Sequence, residues 1–311
     1  MAILMFYLTK FKKKKYKTKF FLLKKEKLKE NFDFIKYLDF KDIVYLASMK
    51  KIVLLTVFLL SSLAHCQDTN PVVSKIASEF IEADQYIGQD AFGYKYYIKN
   101  WVLFKIKKAE NYQYKNISLG KISKVDIQNS LKIVLFYENF NTVIITDNQL
   151  NEIHKISFSQ NSKNIIASAV GISSHSNLWV FDSVNLQIGL YDYLKNEYKN
   201  IAVPLTLGLK YYETSFNNFY WIDENNYSYS CDIFGKIKPL GKIPDFDLIQ
   251  FTSNLSVIYK KNDLLYYYDL NNSKKTLILL DQKSYNSFYY KDQNLSIFTL
   301  EDITNYKINL P

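Results

Sequence analysis

Apolar residues run along the chain in short blocks of five or six, separated by turn-forming residues. The clearest block pair is Asn177–Asp192, NLWVFDSVNLQIGLYD, which reads as a strand, a tight turn and a second strand. Its first half recurs as Asn218–Asp223 (NFYWID), Asn254–Tyr259 (NLSVIY) and Asn294–Thr299 (NLSIFT), at steps of 41, 36 and 40 residues. Its second half recurs as Thr142–Asp147 (TVIITD), Tyr227–Asp232 (YSYSCD) and Leu264–Asp269 (LLYYYD). Two degenerate copies, Trp101–Ile106 (WVLFKI) and Ile303–Ile308 (ITNYKI), extend the series to both sides.

A pitch near forty with several short strands per unit predicts an all-β protein, a β-propeller. Each unit is too short to bury both faces of its own sheet, so the units must stack around a hub. Six blades are expected over residues 83–311, with seven as the alternative because the step from Asp147 to Asp192 is 45 residues long. The last unit ends at Pro311 one strand short. A strand near 72–80 is expected to supply the missing one and close the ring, although Lys75–Glu82 reads equally as helix or strand.

Gly (8) and Pro (5) are few, so Asn, Asp and Ser must make the turns. The Asp that ends the second strand of each pair, Asp147, Asp192, Asp232 and Asp269, fits a turn carboxylate that accepts a backbone N–H two residues on. That role outweighs a catalytic one, because each sits at the same place in its own repeat.

The formal charge of +10 comes from the N-terminus. Residues 1–48 carry thirteen Lys against five acids, whereas residues 67–311 carry 25 of each. Every basic residue is Lys. The body therefore offers no electrostatic case for nucleic acid binding, and lacks the guanidinium best suited to phosphate. Residues 1–48 read as upstream sequence or a disordered basic segment.

Residues 49–66 have the layout of a signal peptide: Lys50 and Lys51, the apolar Ile52–Leu60, then small residues. Translation from Met49 and cleavage after Cys66, leaving Gln67 first, is the expectation. Lipidation of Cys66 is the alternative, and only then is membrane attachment expected. Residues 67–82 form a leader and the ring-closing strand. The protein is expected to be exported, periplasmic or secreted, with an outer-membrane lipoprotein as the alternative.

No constellation for chemistry stands out. Cys231 has only His154 and His175 as possible bases, and those two lack metal-ligand spacing. His154 falls on an alternating, outer strand and His175 in a turn. There is no phosphate-binding glycine loop and no nucleophile elbow. Neither a cofactor nor a metal is expected. Asp182 and Asp223, with Trp179 and Trp221, occupy equivalent places in neighbouring units. The aromatics are expected to pack between blades; in the alternative all four are the candidate ligand-binding residues on one rim.

The run NLWVFDSVNLQIGLYDYLKNEYKNI resembles repeats of the secreted propeller group that includes NHL-like and quinoprotein-like blades. The leader MKKIVLLTVFLLSS and the Lys/Asn/Tyr-rich body resemble uncharacterised exported proteins of Bacteroidota. The tryptophan docking motif of quinoprotein blades is absent, so the resemblance implies no quinone. The expected function is a monomeric, non-catalytic platform for a protein or glycan of the bacterial envelope. A hydrolase or lyase using Asp, Lys and Tyr groups in the central funnel is the alternative.

Overall fold

The computed structural model describes residues 71–160, 164–281 and 284–310. The basic segment 1–48, the signal segment 49–66 with Cys66, and Gln67 lie outside the described residues.

Twenty-four strands form six sheets, each of four antiparallel strands. Blade one spans Gln85–Tyr114, blade two Lys124–Ser157, blade three Ala167–Asn200, blade four Leu209–Lys242 and blade five Leu248–Ile278. Blade six takes three strands from Ser287–Ile308 and its fourth from Val73–Phe80. That fourth strand is antiparallel to Asp302–Ile308, with Ser78 opposite Thr304. Lys75–Glu82 is thus resolved as strand up to Phe80, and it closes the ring as the unfinished last repeat requires. Six sheets, not seven, are present among the described residues. The 45-residue step falls in the connection between blades two and three, which opens with a 3₁₀ turn at Phe158–Gln160.

The repeat template is the middle of each blade. NLWVFD and QIGLYD are the second and third strands of blade three, paired from Asn177↔Asp192 to Asp182↔Gln187. In blade three, Leu178 and Val180 face the seam with blade two, while Trp179 and Phe181 face the seam with blade four. A strand buried on both faces must be apolar at every position, which is why it reads as a run and not an alternation. Six apolar clusters result, one between each pair of adjacent blades.

The turns use the residues the composition leaves available. Asn100-Trp101, Asn262-Asp263 and Asp292-Gln293 form two-residue hairpin loops with positive φ at both positions, the backbone of a type I′ turn. Asp147 accepts from the Gln149 N–H at 2.8 Å, Asp192 from Leu194 at 3.0 Å, Asp232 from Phe234 at 2.9 Å and Asp269 from Asn271 at 2.8 Å. All four are turn carboxylates bonded two residues on.

Candidate functional site

The first strand of every blade stands nearest the hub, and these six strands enclose one cavity of about 390 Å³. Each leaves one backbone edge without a ladder partner, a cost that a propeller must meet locally. Here side chains from the preceding blade meet it.

Asp126 of blade two accepts from the Ile172 N–H of blade three at 2.8 Å, from its own Gln128 N–H at 2.9 Å and from the Thr214 hydroxyl of blade four at 3.1 Å. Gln128 Nε2 donates to the Thr214 carbonyl at 2.7 Å. These contacts pass over Gly171, where an added Cβ would stand 2.0 Å from Thr214 Oγ1. Glycine at 171 is therefore what lets blade four reach blade two.

Glu213 of blade four accepts from the Phe251 N–H of blade five at 2.9 Å and from the Tyr211 hydroxyl. Gln250 of blade five bonds both backbone groups of Tyr290 in blade six, each at 2.7 Å. Tyr289 donates to the Gln89 carbonyl of blade one at 3.4 Å, and its ring fills the space beside Gly88, where a Cβ would stand 2.7 Å from it.

Although the cavity leaves Asp126 and Glu213 partly accessible, protein atoms surround both carboxyls closely. Desolvation therefore raises both above their ordinary values, opposed by the hydrogen bonds each accepts and by Lys124. Burial, with the neighbouring carboxylate second, raises the Tyr211 hydroxyl well above the tyrosine range.

Two cations share the cavity wall. Lys124 places its ammonium 5.2 Å from the Tyr212 ring centre and 5.8 Å from that of Tyr211. Lys291, from blade six, also borders an adjoining cavity of about 210 Å³ with Asp90 and Asp292. Among the described residues neither lysine has a carboxylate within ion-pair distance. Gln128 Oε1 is buried with no hydrogen-bond partner. The formal charges of Lys124, Lys291, Asp126 and Glu213 cancel.

The four residues singled out by the repeat lie elsewhere. Trp179 is fully buried between blades three and four, donating from Nε1 to the Ser215 carbonyl at 2.8 Å, and Trp221 joins the same cluster. Asp182 is buried and accepts from Val184 N–H and Asn185 Nδ2 at 3.2 and 2.6 Å. Asp223 is buried and accepts from the N–H groups of Asn225 and Tyr227 at 2.9 and 2.8 Å. The two carboxylates hold equivalent turns between second and third strands, on the same face of the ring. The fold gives all four side chains structural partners and sets them apart from the cavity wall.

His154 lies on the outermost strand of blade two against the Tyr193 ring, and His175 in a turn with φ of 55°. Cys231 is buried, and desolvation pushes its thiol up to about 12, a poor nucleophile. No group of three or more potential metal-ligating side chains converges among the described residues.

No protein-family model matches the chain, and no curated protein does. Solved structures do share its fold. Virginiamycin B lyase from Staphylococcus aureus is 12% identical with a TM-score of 0.51, over 78% of this chain and 96% of that one. A DUF4221 family member from Bacteroides vulgatus is 10% identical with a TM-score of 0.50, over 78% and 99%. The WD40 propeller domain of Doa1 is 10% identical with a TM-score of 0.50, over 77% and 89%. At such identities the likeness establishes the propeller architecture.

Proposed function

We propose that this chain is an exported, non-catalytic propeller that binds a protein or glycan of the bacterial envelope. The observation that carries this reading is how the hub acids are used. Asp126 accepts three hydrogen bonds and Glu213 two, and in each case one comes from the backbone of the next blade. A carboxylate so engaged holds blades together and is poorly placed to shuttle protons. Export rests on the sequence of residues 49–66.

One observation favours the hydrolase or lyase reading. Asp126, Glu213 and Lys124 converge on one cavity, and burial raises both carboxyls toward the range useful to a general acid.

One measurement separates these, and a second tests export. The purified protein is incubated with envelope polysaccharide and protein fractions, and both retention and product mass are followed. Saturable retention with unchanged masses is expected; newly cleaved or eliminated products would establish the enzyme reading instead. Mapping the native N-terminus tests export. It is expected at Gln67 or at a lipidated Cys66, and a native chain starting at Met1 contradicts it.

A further inference from the structure

The hub cavity has a definite chemistry, and that chemistry narrows what it holds. Its volume of about 390 Å³ falls at the lower end of the roughly 300–1,000 Å³ range of small-molecule pockets. It is too small for a folded segment of another protein. Phe288, Tyr289 and Tyr290, each half-buried, border it, their rings also packing into the seams on either side of blade six. Beside them stand polar groups of both kinds with hydrogen-bonding capacity to spare. The Lys124 and Lys291 ammoniums are donors with no carboxylate within ion-pair distance among the described residues, and the buried Gln128 Oε1 is an acceptor with no partner.

An unpartnered buried acceptor carries a desolvation cost that a donor on a ligand would relieve. The cavity's formal charges cancel, so nothing in its balance selects a cation or an anion. A fitting occupant is neutral and compact, with one apolar face and several hydroxyls around its edge. A pyranose ring has that form: its C–H face covers an aromatic side chain while its hydroxyls both donate and accept.

We infer that the hub cavity is a binding site for a single neutral hexose-sized sugar unit, held by Lys124, Gln128 and Lys291 against the aromatic wall. This rests on the binding reading above and places the glycan contact at the hub, away from the rim loops.

The test is titration calorimetry and saturation-transfer NMR on the mature protein with D-glucose, D-galactose, D-mannose, N-acetyl-D-glucosamine and D-glucuronate. At least one neutral sugar is expected to bind saturably. Glucuronate is expected to bind no tighter than its neutral counterpart. Lys124→Met and Lys291→Met keep the apolar stems and remove the donors. Each is expected to weaken the neutral sugar about tenfold, the loss of one hydrogen bond from a charged donor, in a protein that stays folded by circular dichroism. Binding that survives both substitutions, a preference for glucuronate, or no binding by any of the four neutral sugars overturns the inference. Should envelope polysaccharide still be retained by both variants at wild-type strength, the hub site fails while the platform reading stands. Should wild type retain no envelope component and bind no neutral sugar, both fail.

Discussion

At the scale of single residues, the hub is a set of hydrogen bonds from a side chain on one blade to the backbone of the next. Glu213 is the most exacting case, since its Oε1 serves two donors at once. Glu213→Ala removes the acceptor that the Phe251 N–H and the Tyr211 hydroxyl share, and should cost about 1–3 kcal/mol in urea denaturation. Glu213→Gln retains an acceptor oxygen and should cost less than about 1 kcal/mol. The carboxyl also shapes the response to pH. Its folded value lies above the ordinary 4.5 because burial disfavours the charge. The native state therefore holds the proton to higher pH than the unfolded chain does. The stability this contributes is complete below the ordinary value and is lost as pH rises through the raised one. Denaturation midpoints measured across that window should fall less steeply in Glu213→Gln than in wild type. Equal slopes would mean that Glu213 titrates alike in both states.

At the scale of elements, the second strand of each blade carries the packing. Trp179 has no exposed surface and lies in the seam between blades three and four, against Phe219 at a ring distance of 6.0 Å. Trp179→Ala should cost about 3–5 kcal/mol by denaturant unfolding. Trp101, more than half exposed in a hairpin turn, is the control: Trp101→Ala should change stability by no more than about 0.5 kcal/mol. The contrast also shows which elements the sequence discloses. The second strands of blades three and four are buried on both faces, so NLWVFD and NFYWID stand out as apolar runs with bounds that match the strands residue for residue. Innermost strands do not stand out, because they mix cavity wall with blade packing. The one in blade two is only Lys124–Asp126, and those of blades four and five carry Glu213 and Gln250 among aromatics. The hub residues therefore carry little signal in the sequence, whereas the rim aspartates stand out because they recur. A signal was nonetheless there. Asp126 meets Ile172, Glu213 meets Phe251 and Gln250 meets Tyr290 at separations of 46, 38 and 40 residues. Hub partners lie about one repeat apart, so a polar residue inside an otherwise apolar first strand points to the next blade.

At the scale of the whole molecule, six sheets that are each too small to stand alone share their apolar faces, and the ring holds only if it is closed. Closure depends on Val73–Phe80, whose side chains are largely exposed and which is held mainly by its ladder to Asp302–Ile308. In that ladder the Ser78 and Thr304 hydroxyls lie 2.9 Å apart, and directly opposed residues in antiparallel strands fall within disulfide reach. The Ser78→Cys, Thr304→Cys double variant, oxidised under native conditions and mapped by peptide mass, tests closure directly. A 78–304 disulfide formed in high yield from folded protein, with a raised thermal midpoint, is the expected result. Failure to form it in the folded protein, or its formation only after unfolding, would contradict the closed six-bladed ring on which the hub cavity depends.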